Sequence, residues 1–89
     1  MDLRMNAGYI ITDSIHVGNT EFVLGVSSST PTIYVTWECK NNNNYFWGHY
    51  TENCLEAKKD LLKRAGHELE IQERLNTPAK VKNEKERER

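Results

Sequence analysis

The stretch Ile33–Tyr50, IYVTWECKNNNNYFWGHY, constrains the fold more than any other part of the chain. It carries six of the eight aromatic residues: Tyr34, Trp37, Tyr45, Phe46, Trp47 and Tyr50. Two runs rich in β-branched and aromatic residues flank four asparagines, the pattern of a hairpin. From Ile33 to Cys39 the alternation puts Ile33, Val35, Trp37 and Cys39 on one face and Tyr34, Thr36 and Glu38 on the other. Asparagine tolerates left-handed backbone, so Asn41–Asn44 reads as the turn. Pairing Lys40 with Tyr45 then sets Cys39 opposite Phe46, Trp37 opposite Gly48 and Val35 opposite Tyr50. Gly48 leaves room for the Trp37 ring to lie across it. The second face displays Tyr34, Thr36 and Glu38 beside Tyr45, Trp47 and His49.

Another hairpin precedes this one, after an N-terminal stretch, Met1–Gly8, that reads as frayed. Tyr9–Val17 and Thr20–Val26 alternate around Gly18-Asn19, a two-residue turn signal. That turn pairs Val17 with Thr20, Ile15 with Phe22 and Ile11 with Val26, so the apolar residues meet on one face. The same register sets Asp13 opposite Leu24. Either a bulge turns Asp13 outward or it lies at the edge of the core. His16 and Glu21 are cross-strand neighbours on the outer face.

A helix begins near Thr51–Cys54. Asn53 with Glu56 three residues on fits a capping box, and Thr51 is the other candidate cap. Cys54, Leu55, Ala57, Leu61, Leu62, Ala65 and Leu69 make one apolar stripe, with Glu56, Lys59, Asp60, Lys63, His67 and Glu70 lying away from it and Asp60 and Arg64 forming a favourable pair four apart. Asn76-Thr77-Pro78 stops the helix. The expected architecture is therefore α+β: a four-stranded antiparallel β-meander packed on one C-terminal α-helix, in a single domain over residues 1–76. Residues 77–89 are too charged to bury an apolar face and read as a disordered tail.

Charge limits the partners. The chain has a net charge of −1, with −3 on residues 1–53 and +2 on the tail from Thr77. Phosphate contacts supply most nucleic-acid affinity, so an acidic sheet is a poor platform for it despite its rings. A nucleic-acid-binding regulator using the aromatic sheet and basic tail is the alternative reading. No run is long enough to span a membrane, and the first residues lack the apolar core of a signal peptide. Two cysteines are too few for a disulfide framework, which points to a reducing, cytoplasmic setting. Cys39 and Cys54 with His49 have no metal-site spacing, and no nucleophile, base and orienting group converge. No metal, cofactor or enzymatic activity is expected.

The segments Ile15-His16-Val17-Gly18, Glu21-Phe22-Val23-Leu24-Gly25, Tyr34-Val35-Thr36-Trp37-Glu38-Cys39 and Tyr45-Phe46-Trp47-Gly48-His49-Tyr50 resemble small accessory proteins of bacterial conjugative and integrative mobile elements. The resemblance covers roughly residues 9–70. It implies a partner in the host, because proteins of this size from such elements include inhibitors of host defence, among them anti-CRISPR proteins.

Together these readings lead to a non-catalytic protein-binding inhibitor that occludes a basic surface on a larger host protein, a CRISPR–Cas nuclease being the class implied. The expected contact surface is Tyr34, Glu38, Tyr45, Trp47 and His49, helped by Glu21. The oligomeric state stays open between a monomer and a homodimer, since the first strand or the second hairpin could present an unpaired edge.

Overall fold

A computed structural model describes residues 3–76. The chain is α+β. Five antiparallel strands in sequential order form one sheet curled into a half-barrel, and one helix follows: β1 (Met5–Asn6), β2 (Tyr9–Val17), β3 (Thr20–Ser27), β4 (Tyr34–Lys40), β5 (Asn44–Thr51) and α1 (Cys54–Asn76). The charged tail expected from residue 77 lies outside the described residues.

The fifth strand, β1, lies where fraying was expected. Ala7 (φ 52°) and Gly8 (φ 85°) both take positive φ in a tight turn, pairing Asn6 with Tyr9 and Met5 with Ile10. The Arg4 carbonyl accepts from the Ile11 N–H at 2.8 Å. Arg4 then reaches across the mouth of the curl, which ties this short arm down.

Between β2 and β3 the pairings Val17–Thr20, Ile15–Phe22 and Asp13–Leu24 are as expected. Past Asp13 the ladder slips at a bulge, and Ile11 pairs with Gly25 instead of Val26. One inserted residue reverses the side-chain parity, so Ile11 faces away from Ile15. Asp13 stays on the helix side at the rim, 3.9 Å from the Lys58 ammonium.

The second hairpin departs further. Its turn ends one residue early: Lys40 pairs with Asn44, Cys39 with Tyr45 and Glu38 with Phe46. Asn41 (φ 57°) and Asn42 (φ 68°) take the left-handed backbone that favours asparagine in turns. A bulge at Trp47 then restores the anticipated register, with Thr36 opposite His49 and Val35 opposite Tyr50. A side chain on Gly48 would collide with the Trp37 indole nitrogen at 2.8 Å, so the ring does lie across this glycine.

Sheet pairing also overturns the expected facing. Phe22 pairs with Glu38, Leu24 with Thr36 and Val26 with Tyr34. The apolar faces of the two hairpins therefore point to opposite sides. On one side α1 covers Val17, Phe22 and Leu24 with Ala57, Leu61 and Ala65, and Ile15, Val26 and Tyr34 join at the margin. On the other, inside the curl, Val23, Val35, Trp37 and Cys39 pack with Tyr9, Ile11 and Tyr45. The helix rests on the Tyr34–Thr36–Glu38 face of β4, not on the Val35–Trp37–Cys39 face. Its buried stripe is narrow. Leu55, Leu62 and Leu69, expected to be inside, are 71%, 64% and 51% exposed. Asn53 caps α1, its Oδ1 accepting from the Glu56 N–H at 3.0 Å, while Thr51 Oγ1 accepts from the Asn53 N–H.

Candidate functional site

The six residues expected to form one contact surface fall into two groups, with Trp47 apart from both. Glu21 and Tyr45 lie inside the curl. Glu21 is buried, and Arg4 clamps it with two hydrogen bonds of 2.6 and 2.8 Å. Ser14 also donates to this carboxylate, and Arg4 Nε donates to the Tyr45 hydroxyl at 2.8 Å. The hydrogen bonds from Arg4, opposed by burial and aided by Ser14, bring the Glu21 carboxyl down to about 2. Burial pushes the Cys39 thiol up, against the pull of the nearby Arg4 cation. His16 Nε2 lies 3.8 Å from the Glu21 carboxylate. A carboxylate already holding three donors is a weak base, and the arrangement fastens the arm across the half-barrel.

Tyr34, Glu38 and His49 lie on the helix side. Tyr34 is half-buried against the roofed core. His49 is anchored: its Nδ1 is 2.9 Å from Asp60 Oδ2, and the same oxygen accepts from the buried Thr36 hydroxyl at 2.5 Å. Burial raises the Asp60 carboxyl, but the bonds from Thr36 and His49 outweigh it and the group sits below its ordinary value. Arg64 Nη1 donates to both the Thr36 carbonyl and its hydroxyl at 3.1 Å. The sequence pattern turned Asp60 away from the apolar stripe and gave it Arg64 as an ion-pair partner. Here both close on Thr36, because a polar residue on the roofed face of β4 needs partners.

Trp47 stands apart. It occupies the bulge in β5, the last strand of the sheet, with φ at 57°. A bulky residue rarely enters this left-handed region, and holding it there costs about 1–3 kcal/mol. The ring gains little burial in return. It is 68% exposed and meets Phe46 edge-on, with centroids 4.9 Å apart. Beside it, Glu38 is the pairing partner of Phe46. His49, Thr51, Glu56 and Asp60 line an open groove between β5 and α1. Trp47 was legible as an exposed aromatic. The turn of its backbone was not, because a bulge leaves no mark in composition.

Cys39 and Cys54 are free thiols, and among the described residues no three His, Cys, Asp or Glu side chains are grouped to hold a metal. Among those residues no helix is long and apolar enough to cross a membrane. Comparison with protein-family models, with curated proteins and with solved structures finds no match to this chain.

Proposed function

We propose that this chain is a non-catalytic protein-binding module whose anchor is Trp47, and that it inhibits a larger host protein by covering a basic surface. The observation that carries the reading is the pairing of strain with exposure at Trp47. A left-handed backbone holds a large ring out in solvent on an edge strand, at a cost that the ring's own contacts among the described residues do not offset. Tryptophan is among the residues that most often dominate binding energy at an interface. Phe46 stiffens the ring from below, and Glu38 opposite Phe46, with Glu56 and Asp60 in the groove beside His49, gives this flank an acidic character that suits a basic partner. A CRISPR effector nuclease, with its positively charged nucleic-acid channel, is the partner class that the mobile-element resemblance supplies. His49 lies two residues along β5 from the anchor and Tyr34 farther along, opposite Thr51, whereas Tyr45 and Glu21, turned into the curl, act through the arm that they hold.

Capture and inhibition of purified effector nucleases test this. Trp47→Gly removes the ring and suits the left-handed backbone, so the fold keeps or gains stability while binding falls by about tenfold or more. Glu38→Lys weakens binding further by reversing a rim charge. Full inhibition by both variants would discard this surface.

A further inference from the structure

We propose that a second copy of this chain docks against the β2 edge and the neighbouring flank of α1, forming a two-fold dimer with antiparallel β2 strands. This surface lies on the other side of the helix from β5 and the β5–α1 groove, so the inference goes beyond the reading above.

Three observations meet there. First, among the described residues β2 is an open edge over most of its length. β1 pairs only with Tyr9 and Ile10, and the Arg4 carbonyl takes the Ile11 N–H. Val17 and Thr20 close the two-residue turn. Hydrogen-bonded pairs therefore alternate, and Ser14 and His16 aim their N–H and C=O groups away from β3. Unpaired backbone of this kind accepts another strand.

Second, the helix flank above that edge is apolar and, among the described residues, uncovered. Leu62 and Leu69 line an open groove with Ile15 and Val17. They are 64% and 51% exposed, and Leu55 continues the row one heptad earlier at 71%. Gly66 stands on the same flank, and a Cβ there would meet nothing within 4 Å. Its cost to the helix, about 1 kcal/mol, therefore brings no packing benefit inside one copy.

Third, the charges along α1 are self-complementary when two helices run antiparallel. Residues 54–65 carry Lys58, Lys59, Lys63 and Arg64 against Glu56 and Asp60, a net charge of +2. Residues 66–76 carry Glu68, Glu70 and Glu73 against Arg74, a net charge of −2. The helix dipole acts on the end turns, where Glu56 and Arg74 already suit it, so the order of the two blocks between them gains nothing from it.

The levels agree. Asp13 lies beside Lys58, and Gln72 Nε2 donates to the Val17 carbonyl at 2.9 Å, so α1 runs alongside β2 in the same direction. An axis through Ile15 sets Ser14 opposite the second copy's His16. At that height on α1, Leu62 of one copy faces Leu69 of the other, and Lys58 faces Glu73. Three strand spacings separate β3 from its symmetry mate, about 14 Å, so the leucines of both helices fill the cleft above the paired Ile15 residues.

Sedimentation of the full chain over a range of concentrations tests the proposal. The expected species has twice the protomer mass and dissociates on dilution. Leu62→Asp, at an exposed position with helicity checked by circular dichroism, raises the dissociation constant by about tenfold or more. Glu73→Lys raises it by about twofold to fivefold, and Lys58→Glu added to Glu73→Lys restores most of the loss. Trp47→Gly leaves it unchanged. A chain that keeps the protomer mass at high concentration overturns the proposal. So does a dimer that survives Leu62→Asp, or one that Trp47→Gly dissolves.

Discussion

The two faces of the sheet are closed by different physics. On the helix side, α1 covers Phe22 and Leu24 with a narrow stripe of Ala57, Leu61 and Ala65, helped by the polar seam of Thr36, Asp60 and Arg64. On the other side no element among the described residues lies over the sheet. The sheet bends over itself, Tyr9 and Tyr45 meet Trp37 with ring centroids 5.5 Å apart, and Arg4 bonds Glu21 and Tyr45 across the opening. A small domain has little surface to bury, and here it builds two cores rather than one. The central strands β3 and β4 serve both: Val23 and Val35 are fully buried on the curled side, Leu24 and Thr36 on the roofed side. The roofed face depends on apolar fit. The curled face depends on an aromatic cluster and one ion pair, so each should fail in its own way.

The largest effect is expected from Trp37→Ala, which removes the centre of the curled core and lowers stability by about 3–5 kcal/mol in urea unfolding. Leu24→Ala should cost about 2–5 kcal/mol through the roofed core. A loss at Trp37 much smaller than that at Leu24 would mean that the curl is a loose flap rather than a second core.

Arg4→Ala comes next, at about 3 kcal/mol, because it strands the buried Glu21 carboxylate. Acid sharpens the same comparison. Folding lowers the Glu21 carboxyl to about 2 from an ordinary 4.5. Its contribution is therefore complete above pH 4.5 and is lost as the pH falls through about 2. Asp60, lowered by Thr36 and His49 against the effect of burial, gives the roofed face a smaller loss below its ordinary 3.8. In chemical unfolding across this range, Glu21→Gln should flatten most of the slope and Asp60→Asn less of it. The reverse order would place the dominant ion pair on the wrong face.

Much of this fold was legible in the sequence. The strand spans, the Gly18-Asn19 turn, the Asn53 cap and the Val35–Tyr50 pairing all follow from residue types at fixed offsets. The facing was not legible. Four consecutive asparagines do not say where a turn ends, and ending it at Asn43 rather than Asn44 moves Tyr45 into the curl. Bulges near Thr12 and at Trp47 each reverse parity without any compositional sign. In β4 the alternation of Val35, Trp37 and Cys39 suggests one buried face, yet Thr36 is buried as well. A strand covered on both sides gives no single-sided signal. Of the expected contact residues, Trp47 and His49 are exposed where they were placed, while Glu21 was hidden by Arg4, a residue that had seemed to belong to a frayed end.

The smallest effect should come from Asn53→Ala. Losing the cap costs about 1 kcal/mol and falls on the roofed face alone. Thermal melts should show it equally in wild type and in the Arg4→Ala background, since the two sites share no partner. Strong coupling between them would mean that the two cores are not independent.

The account rests on the opposite fates of the two tryptophans, Trp37 inside the curl at 5% exposure and Trp47 outside at 68%. Iodide quenching of Trp47→Phe, in which Trp37 is the sole tryptophan, tests it most directly. The expected result is blue-shifted emission that iodide barely quenches until the protein is unfolded. Red-shifted emission quenched as readily as free tryptophan would contradict it.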